Sequence, residues 1–218
     1  MDAGPKNQGE YKMAKKFKNP CKFCRRAGEK LFLKGKKCFT PHCPLTRRSY
    51  GPGVHGSKPK RISEYGSQLL EKQKLCAIYS LTDRQLNNYY QKAVKFKGKS
   101  TEALLSMLER RLDNVIFRFG LADSRRAARK IVRDRHILFN GKRVNIPSML
   151  VKKNDEIKIN SKSQDNSLFV DKPEKDWQIP DWLKWDKKKK IGTVIRLPSL
   201  EDIESKIDVA KIIEFYSR

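Results

Sequence analysis

Apolar positions recur in two registers along this chain, and the change of register predicts two kinds of layer. Between residues 63 and 119 the spacing is that of successive helix faces. Tyr65, Leu69, Cys76 and Tyr79 mark a first helix over residues 63–80. Thr82-Asp83-Arg84-Gln85 spells a capping box, with Leu81 and Leu86 placed as its hydrophobic staple, so a second helix starts here. Its stripe is Leu86, Tyr89, Tyr90, Ala93 and Val94, and Gly98 can end it. A third helix is expected from Thr101 to a stop at Gly120, carrying Leu105, Leu108, Leu112, Val115 and Phe119.

From Ser124 the pattern shortens. Ser124 can cap a short amphipathic helix with Arg125, Arg126, Arg129, Lys130 and Arg133 outward and Ala128, Ile131 and Val132 inward. Ile137-Leu138-Phe139 then meets Asn140-Gly141, a strong hairpin-turn signal, followed by Lys142-Arg143-Val144. Beyond Pro147, a turn at Lys153-Asn154-Asp155 precedes the alternating strand Glu156-Ile157-Lys158-Ile159. Residues 161–176 carry no clear period. Trp177, Trp182 and Trp185 precede the run Lys187 to Lys190, and they read as anchors of a surface segment in preference to base-stacking platforms. The tail from Ile191 ends in Ile212-Ile213-Glu214-Phe215-Tyr216, apolar enough to pack.

Composition narrows the partner. Fifty Lys and Arg against 24 Asp and Glu leave a net charge of +26 on 218 residues. A charge of this size calls for a polyanion, and a nucleic-acid backbone is the commonest one. Anionic membrane is the rival, but no stretch approaches the roughly 18 consecutive apolar residues of a span. The N-terminus lacks the apolar core of a signal peptide, so the expected place is the cytosol. Residues 1–19 read as a disordered basic extension; Met13, ahead of a Lys-rich run, would itself make an ordinary start.

Cys21, Cys24, Cys38 and Cys43 form Cys-x2-Cys-x13-Cys-x4-Cys, two close pairs that suit one tetrahedral zinc ion. Four thiolates leave no open position for water, so the ion would staple rather than catalyse. Two disulfides and an iron–sulfur cluster are the competing readings. His42 is a spare donor, and Cys76 reads as a buried, inert thiol. The knuckle would display Lys22, Arg25, Arg26, Lys34, Lys36 and Lys37. Residues 44–61 combine Pro, Gly and basic residues, among them Arg47 and Arg48, as an extended arm. His55 reads as a turn residue within it.

These residues resemble a known family. Cys21-x2-Cys24-Arg25-Arg26, Leu31-Phe32-Leu33-Lys34-Gly35, Glu71-Lys72-Gln73-Lys74-Leu75, Arg111-Leu112-Asp113-Asn114-Val115, Ser124-Arg125-Arg126-x-Ala128-Arg129, Asn140-Gly141-Lys142-Arg143-Val144 and Ile213-Glu214-Phe215-Tyr216-Ser217 run in the order of the S-four family of bacterial small-subunit ribosomal proteins, in its zinc-bearing four-cysteine form. The resemblance covers roughly residues 13–218, and residues 161–190 follow it poorly. It implies an α+β fold in which a mostly helical body carries an inserted small α/β RNA-binding module, preceded by a zinc knuckle and arm. The expected boundaries are knuckle and arm over 20–62, helical domain over 63–107 completed by 191–218, and inserted module with its following segment over 108–190.

The resemblance further implies a ribosome constituent that binds a multi-helix junction in the 5′ part of 16S rRNA and nucleates assembly. It implies contact with mRNA where the message enters the subunit, with Lys58, Lys60 and Arg61 at the matching positions, and with ribosomal protein S-five. The expected RNA-facing set is Arg25, Arg26, Arg47 and Arg48 on knuckle and arm, and Ser124, Arg125, Arg126, Arg129, Lys130 and Arg133 on the basic helix. Arg111, Arg118, Lys142 and Arg143 stand beside that helix. Neither a membrane nor a small-molecule substrate is expected. The alternative is an RNA-modifying enzyme carrying this module, but no catalytic constellation is visible and little chain remains to hold one.

Overall fold

The computed structural model describes residues 19–58, 61–96, 98–163, 166, 169, 177–203 and 207–218. The extension expected over 1–19, apart from Asn19, lies outside these residues, as does Lys60.

Side-chain caps start most helices of the body. In α3 (Glu64–Ile78) the Ser63 hydroxyl accepts from the Gly66 N–H at 3.2 Å. The knuckle contributes α1 (Cys21–Ala27) and α2 (Pro44–Arg47), with a 3₁₀ turn over Gly35–Cys38 between them. At α4 (Asp83–Val94) both halves of the capping box form: Thr82 Oγ1 accepts from Gln85 N–H, and Gln85 Oε1 accepts from Thr82 N–H. The staple residues Leu81 and Leu86 are fully buried. With α5 (Ser100–Glu109) and α8 (Val209–Ser217) these helices enclose Leu75, Leu81, Leu86, Leu104, Leu108 and Ile212. Gln68 donates to Glu214 at 3.0 Å, Lys72 sits over the Phe215 ring, and Tyr90 stacks on Tyr216, so α8 is fastened to α3 and α4.

The third helix expected from the apolar spacing is two. Arg111 is extended (φ −66°, ψ 136°) and bridges to Leu150. Leu112 N–H donates to Met149 O at 2.8 Å and Val151 N–H donates to Arg110 O at 2.9 Å. A passing segment therefore takes up the backbone groups that would continue the helix. The apolar stripe continues across the break because both pieces face buried cores, which is why spacing alone does not reveal it. The second piece is α6 (Leu112–Arg118).

Helices α6 and α7 (Arg125–Arg133) cover an antiparallel sheet ordered β2-β1-β3-β5-β4. The strands are β1 (Ile137–Phe139), β2 (Lys142–Arg143), β3 (Glu156–Ile159), β4 (Leu183–Asp186) and β5 (Ile191–Val194). Asn140 and Gly141 both take positive φ (47° and 78°) in the two-residue β1–β2 turn, as its primed geometry requires. Strand β5 pairs with β3, setting Ile157 opposite Gly192. A Cβ on Gly192 would stand 2.4 Å from the Phe119 ring, so only glycine lets Phe119 lie against this strand.

The observed α+β arrangement corrects one boundary. Residues 191–194 complete the sheet, and in the tail it is α8 that returns to the helical body. The tryptophans are anchors: Trp182 is fully buried, Trp185 lies 5.4 Å from Phe119, and Trp177 Nε1 donates to Arg118 O at 2.8 Å.

The knuckle packs Cys24, Leu31 and Leu33 on Ala77 and the partly buried Ile78 of α3. Gly35 (φ +60°) touches Asp123 in the α6–α7 loop, where a Cβ would be 2.3 Å from the Asp123 carbonyl oxygen. A short sequence-distant contact thus seats the knuckle on both layers.

Candidate nucleic-acid interface

Helix α7 starts where the Ser124 hydroxyl accepts from Ala127 N–H at 3.3 Å, and it buries Ala128, Ile131 and Val132. That orientation divides the arginines expected to form one outward face. Arg126, Lys130 and Arg133, spaced i, i+4, i+7, form one stripe; Lys130 and Arg133 are exposed and Arg126 half-buried. Arg125 and Arg129 turn toward the helical body. Arg129 Nη1 donates to Ser80 O at 2.6 Å, and Arg125 Nε donates to Asn114 Oδ1 at 2.6 Å while its guanidinium lies over the Phe117 and Tyr79 rings.

At the centre of this seam is Glu109, fully buried. Its carboxylate accepts from Tyr79 Oη (2.6 Å), Asn114 Nδ2 (2.7 Å) and both Nε and Nη2 of Arg118 (3.0 Å each). Burial pushes the Glu109 pKa up, but the Arg118 charge and its hydrogen bonds outweigh burial and hold the group ionised. Burial and the neighbouring carboxylate push the Tyr79 phenol up, so it stays a neutral donor. Beside them Arg111, 1% exposed, makes a bidentate pair with Asp113 at 3.0 and 2.7 Å and donates to Tyr89 Oη. The expectation that Arg125 and Arg129 project outward is therefore corrected, and Arg111 and Arg118, expected beside that helix, also turn inward. The body supplies acceptors and aromatic faces that only the folded chain assembles, and these four are drawn to them.

Arg25 is likewise occupied, donating to Tyr50 O and Gly51 O at 3.0 Å each and so tying the arm to α1. Arg26, Arg47, Arg48, Lys58, Arg61, Lys142 and Arg143 are exposed. Exposed cations that the sequence reading left out include Arg135, Lys152, Lys153 and Lys158, and Lys187 to Lys189 at the β4–β5 turn. Asp186 Oδ1 accepts from the N–H groups of Lys188 and Lys189 at 2.9 and 3.1 Å, fixing the turn that presents them. The alternation Leu183-x-Trp185 and Ile191-x-Thr193 about Asp186 was the available signal; the lysine run masks it.

Cys21, Cys24, Cys38 and Cys43 line one small pocket with Leu33, Lys34, Lys37, Pro44 and Leu45. Lys34 N–H points to Cys38 Sγ at 3.3 Å. Burial pushes the Cys24 and Cys38 thiols up. At Cys43 the Leu45 and Thr46 backbone N–H groups outweigh burial and lower it. Among the described residues no group of three or more His, Cys, Asp or Glu is disposed to hold a metal ion. The four cysteines thus share one pocket.

Among the described residues no helix is long and apolar enough to cross a membrane. Residues 15–109 match the family Ribosomal protein S4/S9 N-terminal domain, and residues 110–157 match the S4 domain. The small ribosomal subunit protein uS4 of Thermoanaerobacter sp. (strain X514) is 47% identical over 198 residues, covering 91% of this chain and 96% of that one. The same-named protein of Caldicellulosiruptor bescii is 47% identical over 208 residues, 94% of this chain and 100% of that one. That of Clostridioides difficile is 45% identical over 199 residues, 91% and 96%. Two family matches laid end to end across both layers, with relatives alike over nearly their whole length, show that this chain belongs to the family of the small ribosomal subunit protein uS4.

Proposed function

We propose that this chain is a structural, rRNA-binding constituent of the small ribosomal subunit in the cytoplasm, and that it is not an enzyme. The observation that carries the reading is the division of labour among its arginines. One set locks the two layers together around Glu109 and Asp113, and the stripe of Arg126, Lys130 and Arg133 remains outside at a fixed spacing. Rigid spacing of cations suits a folded RNA, whose converging helices present phosphates at fixed separations. Family membership argues against the RNA-modifying alternative.

The finer reading is that the target is a multi-helix junction in the 5′ part of 16S rRNA, where binding nucleates assembly. Lys58 and Arg61, with Lys60, would face mRNA where it enters the subunit, and a neighbouring surface would meet ribosomal protein S-five. Cys21, Cys24, Cys38 and Cys43 would hold one structural zinc ion; their convergence on one pocket and their all-thiolate chemistry support it. An iron–sulfur cluster would use the same donors, and metal analysis separates the two.

Binding of the full chain to a transcript of the 5′ part of 16S rRNA tests the main reading. If six to ten phosphates are engaged, affinity falls about 1,000-fold or more between 50 and 200 mM salt. A flat salt response would refute it.

A further inference from the structure

The knuckle carries two large apolar side chains that neither core uses. Phe39 is 74% exposed and Phe32 45%. Their rings stack with centroids 4.9 Å apart and planes 30° from parallel. Phe32 adopts a positive φ of 49°, which a bulky side chain rarely takes. Its neighbours Leu31 and Leu33 are both buried. Those two leucines hold the segment down while the left-handed residue between them sends its ring outward. Phe39 closes the 3₁₀ turn, donating its N–H to Lys36 O at 3.1 Å.

The surroundings of the pair are cationic. Lys30, Lys34, Lys36 and Lys37 are all exposed on the same short knuckle. Phe32 also lines a shallow concavity with Arg126, the first residue of the outward stripe of α7, and with Arg125. An exposed aromatic pair on a knuckle that bears four exposed lysines is poorly suited to another basic protein and well suited to a nucleotide, whose base stacks while its phosphates meet the charges.

We propose that Phe32 and Phe39 form a stacking platform for an unpaired RNA base, with the knuckle lysines and Arg126 on its flanking phosphates. This rests on the rRNA-binding reading above and adds to it a point contact with a base. A base in a loop or bulge can be splayed onto aromatic rings, whereas a paired one cannot. The platform therefore directs the knuckle to a single-stranded element beside the helices that α7 would grip.

The test compares full-length variants binding a transcript of the 5′ part of 16S rRNA at fixed salt. Phe39→Ala should bind about 10-fold more weakly, the loss of one base stack. The slope of log affinity against log salt should not change, because no charge is removed. Phe39→Trp should restore affinity and Phe39→Leu should not. The exposure of Phe39 spares the fold, which unchanged thermal melting would verify; Phe32→Ala is the second variant. Wild-type affinity in Phe39→Ala, or equal rescue by Leu and Trp, overturns the platform. So does an Ala variant that binds RNA normally yet fails to join the subunit, which would assign the pair to a protein contact. A wild-type chain that itself lacks salt-dependent RNA binding overturns the underlying reading as well.

Discussion

Glu109 is a single acidic side chain on which two layers of a cationic protein converge. A buried carboxylate is tolerated here because Tyr79, Asn114 and Arg118 together supply four hydrogen bonds to it. Glu109→Gln removes the charge that the Arg118 guanidinium, itself mostly buried, pairs with at 3.0 Å. A loss of about 3–5 kcal/mol is expected at neutral pH, measured by denaturant unfolding. The folded pKa of Glu109 lies below its ordinary value. Its contribution is therefore complete above the unfolded carboxylate pKa of about 4.3 and is lost as pH falls through the lower folded value. The stability gap between wild type and Glu109→Gln should hold at pH 6–7 and narrow in that acid window. A gap independent of pH would show that the carboxylate's charge is not what matters.

At the scale of elements, α7 has two working faces. A triple Arg126→Ala, Lys130→Ala, Arg133→Ala variant should lose about 1 kcal/mol of stability or less, as surface charges do, with its salt slope for rRNA shallower by about three. Arg125→Ala should do the reverse in the first instance, lowering stability because its guanidinium fills the space between Phe117 and Tyr79. Binding lost by the Arg125 variant alone, at unchanged stability, would mean that it contacts RNA directly. Strand β5 offers a packing test. Gly192→Ala places a Cβ against the buried Phe119 ring and should cost about 1–3 kcal/mol in thermal or denaturant melts. Much of this level was legible in the residues: the capping box at Thr82, the Ser124 cap and the Asn140-Gly141 turn are local chemistry, and each forms where the sequence puts it. The break at Arg111 was not legible, because its cause is a segment some 40 residues downstream that captures the backbone.

Across the whole molecule, the knuckle joins the rest through close backbone approach at Gly35 and through Leu31 and Leu33 on α3. If one zinc ion closes its four cysteines, a strong chelator or Cys21→Ser should loosen the knuckle. Amide exchange over residues 21–47 should then rise, with the Glu109 seam still protected. Unchanged protection after metal removal would mean that the apolar contacts suffice. The charge of the surface was readable in the sequence, and which cations face water was readable only in part. A net charge of +26 and a basic amphipathic helix announce a polyanion partner. Helical periodicity, however, cannot tell a cation facing water from one facing a buried acceptor on another element. By itself the sequence determined the capped helix starts at Thr82 and Ser124, the hairpin turn, the cysteine spacing and the sign of the charge, all of which depend on residues a few positions apart. The tertiary structure alone decided that Arg111, Arg118, Arg125 and Arg129 serve cohesion, that Gly192 belongs under Phe119, and that Phe32 and Phe39 meet at the surface. Each of these depends on groups the chain brings together only when it folds.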